Sequence, residues 1–299
     1  MSRPVTPPVR AEFVLPPPLP RPAGALARAA VSPKASAGLW FRRALERPLV
    51  RKAALLAVLA AVWEALARWQ GNDLLLPGFL QTASAFAQGI ASGELLQRVA
   101  ASLAVLAQGY AAGVAAALLL TALAVLTRPG RELLETCTAM FNPLPAIALL
   151  PLAMLWLGLG NASLVFVIVH AVLWPLALST YAGFRAVPET LRMAGRNYGL
   201  TGLGFVASIL LPAALPAILS GLKIAWAFAW RTLIAAELVF GAASGKGGLG
   251  WYIFQNRNEL YTDKVFAGLA AVILIGLAVE HIIFATLEKA TVRRWNMQH

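Results

Sequence analysis

"ETLRMAGRNYGLTGLGFVASILLPAALP" runs from Glu189 to Pro216, a short basic stretch set among long apolar runs. Pro188 suits the first turn of a helix, and Glu189 is an acidic residue at the positive end of the helix dipole. Leu191, Ala194, Gly195 and Tyr198 then recur at helical spacing along one face, while Arg192 and Arg196 share another. Gly199 supplies a stop, because glycine tolerates the left-handed conformation that ends helices. Ile209, Leu211 and Pro212 lead into the next apolar run. The spacing predicts a short amphipathic helix, a glycine turn and a proline-marked return to apolar sequence. Such a knob is too short to fold alone and needs a partner groove or a membrane surface.

The sequence around it is that of a membrane protein. Of 299 residues, 59% are hydrophobic and 13% charged, with mean hydropathy +0.71; charged residues make up about a quarter of ordinary soluble domains. The net charge of +12 points to topology rather than nucleic acid, because ten of the 25 Lys and Arg fall in the first 52 residues and most others flank apolar runs. Cys137 is the single cysteine, so no intrachain disulfide can form. No Cys/His cluster has metal-ligand spacing, and neither metal nor cofactor is expected. Residues 1–39 hold nine of the 19 prolines and read as a disordered cytoplasmic tail, dispensable for insertion. They lack the apolar stretch of a signal peptide.

A spanning helix needs about 20 apolar residues. By that measure six spans are expected in an all-α membrane domain over 40–299, at 53–70, 100–126, 133–158, 162–181, 207–241 and 266–286. On the first, Glu64 and Arg68 are spaced for a helical ion pair, and Trp63 and Trp69 suit an interface belt. Arg42, Arg43, Arg47, Arg51 and Lys52 place the N-terminus in the cytoplasm. Six crossings return Lys289, Arg293 and Arg294 to the same side, and the loops bearing Arg128 and Arg131, then Arg185, Arg192 and Arg196, are also cytoplasmic. The loops 71–99, around Asn161, and 242–265 become extracytoplasmic.

Ionisable residues within the runs are functional candidates, since charge at membrane depth is costly. Arg231 and Glu237 lie in the fifth run, six residues apart and not an obvious pair; Arg231 could give positive potential to an anion pathway or be held structurally. Lys223 reads as an interfacial, snorkelling charge. His170 stands without a neighbouring acid or cysteine, which suits polar packing or a helix–helix hydrogen bond. Asn142, Pro143, Pro145 and Pro151 loosen the third run, as suits a pathway-lining helix or a plain kink. "GAASGKGG" (Gly241–Gly248) has only three residues between Gly241 and Gly245, and Gly247 follows Lys246, so it is not a phosphate-binding loop.

The spacing of Ala194, Gly199, Ile209, Leu211 and Pro212 resembles the coupling loop, E-A-A-x3-G-x9-I-x-L-P, of binding-protein-dependent ABC transporter permeases. Met193 stands where that pattern has Glu, and Gly195 where it has its second Ala. "PLPAIALLPLAMLWLGLGNAS" (Pro143–Ser163), "LPAALPAILSGLKIAWAFAW" (Leu211–Trp230), "AAEL" (Ala235–Leu238) and "GLGWYI" (Gly248–Ile253) are similar to permeases of the nitrate, sulfonate and taurine group. The resemblance covers about residues 50–295. It implies a type I importer fold with a coupling loop over about 183–212, in the bacterial inner membrane, with both termini cytoplasmic. Arg192, Met193, Ala194, Gly195, Arg196, Gly199, Ile209, Leu211 and Pro212 would serve coupling. Arg231, Glu237 and Asn142 are the pathway candidates.

It further implies a second copy of the chain, a cytoplasmic ABC ATPase dimer and a periplasmic substrate-binding protein as partners, with membrane lipid around them and no nucleic acid. The cargo would be a small oxyanion such as an aliphatic sulfonate, taurine or nitrate, and the chain itself would perform no covalent chemistry. The alternatives are an ATP-independent channel or secondary transporter, and an integral-membrane lipid-modifying enzyme. The last would need clustered His, Asp, Ser or Cys at one depth, which the sequence lacks.

Overall fold

A computed structural model describes residues 48–240 and 247–293, all helical or in the turns between helices. The tail, Arg42, Arg43, Arg47, Lys246, Arg294 and most of the glycine-rich stretch lie outside the described residues. The chain divides after Ala57. The described part of the first unit is the opening of helix α1 (Pro48–Gln70), where Arg51 and Lys52 are exposed.

From Val58 onward the order is the rest of α1, α2 (Phe79–Ala91), α3 (Glu94–Leu126), α4 (Arg128–Phe141), α5 (Leu150–Leu157), α6 (Asn161–Ala186), α7 (Glu189–Asn197), α8 (Gly202–Ala213), α9 (Leu215–Phe240), α10 (Leu249–Asn258) and α11 (Thr262–Thr291). Four of these, α3, α6, α9 and α11, are long and apolar enough to cross a membrane. The expected third span is not one helix: α4 and the segment Ala146–Leu157 meet at 91°. Pro143 and Pro145 lack the N–H that would continue the ladder across the bend. Counted as one broken crossing, the pair makes five. The first expected span, on α1, is not among them.

Other boundaries move as well: the fourth span runs on to Ala186, and the sixth covers Thr262–Thr291. The second span begins at Glu94 rather than 100, because its polar first turns continue as helix beyond the apolar run. The fifth begins at Leu215, because α8 is a separate short helix.

The core lies where α3, α6 and α9 meet, around Leu106, Val167, Ile168, Val172, Leu176 and Leu233. Small residues set this spacing. A Cβ on Gly109 would stand 2.6 Å from Ile168, one on Gly113 2.7 Å from Val172, and one on Gly183 2.6 Å from Ala217. Apolar burial cannot draw helices together in lipid, so close backbone approach and dispersion do the work. Gly113→Leu should therefore cost about 1–3 kcal/mol or more by overpacking. The check is a lowered thermal midpoint and loss of the monodisperse peak in detergent.

Around α1, the Glu64–Arg68 ion pair forms at 2.9 Å. Glu64 also accepts from the Leu80 N–H of α2, and Trp63 Nε1 donates to the Pro77 carbonyl at 3.0 Å. Trp63 sits against Phe79 and Phe266, whereas Trp69 is exposed.

Candidate functional site

The knob forms as a helix, α7, closed by a complete C-terminal motif. Gly199 takes φ +75°, its N–H donates to the Arg196 carbonyl, and the Leu200 N–H donates to the Gly195 carbonyl. This pair of bonds satisfies the last carbonyls of the helix. Pro188 precedes the helix rather than occupying its first turn.

The face buried against the chain differs from the expected stripe. Gly195 is buried, and a Cβ there would stand 2.8 Å from Ile209 and 3.1 Å from Phe205 of α8. Its missing side chain is the reason α7 can lie on α8. Arg192 and Arg196 both approach Glu189 at 3.9 Å but differ in burial. Arg192 turns inward, with Nη2 donating to the Phe184 carbonyl at 2.5 Å and Nε to that of Val187 at 3.2 Å. A cation thereby meets the negative end of α6. Arg196 is exposed, with Nη1 3.9 Å from Glu189. Leu191, Met193, Ala194 and Tyr198 all face outward, Tyr198 at 87% exposure. Ile209 lies under Gly195, and Leu211 and Pro212 close α8 just before α9.

The three pathway candidates are not brought together. Arg231 is exposed, donating from Nε to the Ala227 carbonyl at 3.0 Å, with its guanidinium 4.9 Å from the Phe228 ring centre. It shares with Lys223, Trp226 and Glu280 a groove of about 330 Å³ between α9 and α11. Lys223 is not merely snorkelling: its Nζ pairs with Glu288 of α11 at 3.0 Å.

Glu237 is buried, 3% exposed. Its carboxylate accepts from Ser102 Oγ of α3 at 2.8 Å and from the Gly250 N–H of α10 at 2.8 Å; Ser102 in turn accepts from the Leu249 N–H at 2.8 Å. The carboxylate thus holds the N-terminus of α10, where a negative charge is favoured. The motifs "AAEL" and "GLGWYI" are the two halves of this junction. A Cβ on Gly248 would lie 2.1 Å from Glu237 Oε1, and one on Gly250 2.6 Å from Glu237 Cβ, so both glycines are needed for the approach. Sequence reasoning missed Ser102, 135 residues from Glu237.

Asn142 lines a third place, a cavity of about 170 Å³ at the break between α4 and α5, with Pro143, His170, Trp174, Phe228 and Thr232. His170 makes no helix–helix hydrogen bond. Both its ring nitrogens are buried without a partner among the described residues, as is Trp174 Nε1. Phe141 stacks on Trp174, ring centres 5.3 Å apart, and closes the cluster.

Such an assembly of broken and crossing apolar helices, with a short helix held outside them, is that of a multi-pass membrane protein. Residues 109–291 match the family described as the binding-protein-dependent transport system inner membrane component. The putative aliphatic sulfonates transport permease of Escherichia coli is 32% identical over 240 residues, covering 80% of this chain and 89% of that protein. The taurine transport system permease of the same organism is 32% identical over 248 residues, covering 81% and 89%. The nitrate import permease of Synechocystis is 30% identical over 254 residues, covering 82% and 90%. The chain belongs to the binding-protein-dependent ABC transporter permease family, and is a multi-pass transport subunit rather than an enzyme.

Proposed function

We propose that this chain is the translocating subunit of an ATP-driven importer for a small oxyanion, an aliphatic sulfonate, taurine or nitrate. It works as two copies with a cytoplasmic ATPase dimer and a periplasmic binding protein, in the bacterial inner membrane. In this reading α1 supplies the sixth crossing and both termini are cytoplasmic, leaving 40–299 as the membrane domain and 1–39 as its tail. The observation that carries the reading is α7. Its apolar side chains Leu191, Met193 and Tyr198 point away from the chain, while Gly195 and Arg192 fix it from behind. A helix so held and so exposed fits a groove on a partner. Energy has to come from that partner, and hydrolysis there shifts the permease only by contacting its two conformations differently.

Reconstituted with those partners in proteoliposomes, the chain should take up taurine, ethanesulfonate or nitrate only with ATP and loaded binding protein. Uptake without ATP would instead establish a channel or secondary transporter. We assign Arg231 an electrostatic part in the pathway, because it is exposed, lies over the Phe228 ring and opens into the groove between α9 and α11. A hold through water suits a site that must also release. Arg231→Met should lower flux roughly tenfold while basal ATP hydrolysis persists, and Arg231→Lys should keep part of the flux. Normal flux in Arg231→Met would remove the residue from the path.

A further inference from the structure

We infer that the recess between α4, α6 and α7 is a binding site for an oxyanion group, a phosphate or sulfonate held by Arg131, Arg185 and Arg192. The inference goes beyond the importer reading and stands on the recess alone. Its volume is about 520 Å³, that of roughly seventeen waters at about 30 Å³ each, which admits such a group with part of its hydration. The polar wall joins Arg131 and Glu135 of α4, Tyr181 and Arg185 of α6 and Arg192 of α7. Three guanidiniums, which only donate and are always charged, face one carboxylate there, so the wall is net positive and selects an anion.

These groups are open to a ligand. Arg131 and Arg185 are exposed, and neither they nor Glu135 form an ion pair or side-chain hydrogen bond among the described residues. Arg192 commits Nε and Nη2 to the carbonyls at the end of α6, which leaves Nη1. Tyr181 is 8% exposed, and its hydroxyl, unlike those of Thr138 and Thr180, is neither partnered among the described residues nor sealed from solvent. Helix electrostatics does not explain the set: Arg131 is the fourth residue of α4, at the positive end of the dipole, where a cation is disfavoured. Loop charge asymmetry accounts for the side of the membrane on which arginines lie, but not for three of them, from three helices, lining one recess. A guanidinium presents parallel N–H groups that match two oxygens of a phosphate or sulfonate. Two sources supply that chemistry. Val125 of the wall stands one residue before the end of α3, and Arg185 one before the end of α6, so the recess is within reach of an anionic phospholipid headgroup as well as of a free ion in water.

The test uses the full-length chain, with the subunits that co-purify, in nanodiscs. In discs of phosphatidylcholine alone, binding of radiolabelled inorganic phosphate is measured by equilibrium dialysis at low salt. In discs that also contain phosphatidylglycerol, the same dialysis is repeated, and the phosphatidylglycerol that stays with the chain is counted by native mass spectrometry. Phosphate bound equally in both discs identifies a soluble ion; phosphatidylglycerol retained, with phosphate displaced by it, identifies a headgroup. For either ligand Arg131→Gln and Arg185→Gln should each weaken binding about five- to tenfold, the loss of one charge-assisted hydrogen bond screened by water. Glu135→Gln should strengthen it about twofold, because the one negative charge of the wall is gone. That gain cannot come from misfolding, and arginines with a purely topological role would not produce the opposite signs. Binding of neither ligand, an affinity unmoved by both arginine variants, or weaker binding in Glu135→Gln would overturn the inference. The assay involves neither ATP nor transport. Failure to import any of the three anions would therefore refute the importer reading without touching this result.

Discussion

Gly195→Leu and Gly199→Val should each abolish ATP-driven uptake and co-purification of the ATPase, while the permease still inserts. The two act by different physics. Gly195 fails for want of space: its Cβ would already meet Ile209 at 2.8 Å, and a leucine would lift α7 off α8. Gly199 has open space around it, but its φ of +75° costs an L-residue about 1–2 kcal/mol, and a β-branched one more. Strain at Gly199 unwinds the end of α7 and misdirects Tyr198 and Leu200. Pull-down of the ATPase from solubilised membranes, beside flux measured on the same preparation, checks both. Full co-purification and transport in either variant would remove α7 from the docking surface.

The second large effect is expected at Glu237. Glu237→Leu leaves the Ser102 hydroxyl and the Gly250 N–H without their acceptor, at about 1–3 kcal/mol for each buried group. Glu237→Gln keeps one acceptor oxygen and should fall between. The loss is local before it is global: α10 comes free at its N-terminus. Hydrogen exchange should accelerate at Leu249–Tyr252 by about tenfold or more in Glu237→Leu, and the thermal midpoint should drop. Unchanged exchange there would mean that the junction does not hold α10.

The knob was legible because its signals are local. Gly199, the arginines and "I-x-L-P" lie within a few helical turns, and the left-handed glycine follows from chain chemistry alone. The direction α7 faces was not legible. It depends on Gly195 meeting Ile209 and on Arg192 reaching the end of α6, contacts that helical spacing cannot choose between. The long apolar runs gave α3, α6, α9 and α11. Asn142, Pro143 and Pro145 marked the third run as loosened, but not that it turns through 91°, because Leu, Ala and Met read as apolar on either side of them. Glu237 stood out as a charge in an apolar run, but its role needed Ser102 from α3 and backbone N–H groups from α10. The cavity draws on α6, α9 and the break, three segments with no shared pattern in the sequence.

The link between α6 and α7 has a mechanical consequence. Only Val187 and Pro188 separate the two helices, both extended, and Arg192 ties back across them to the carbonyls of Phe184 and Val187. The joint is a braced bracket without the slack of a hinge. A load applied to α7 enters α6 along its axis, and ten residues further up that rod, about 15 Å away, stands Trp174. A thrust at the α7 end would therefore travel, with no loop between, as far as Pro175, the interior proline beside Trp174 at the wall of the cavity.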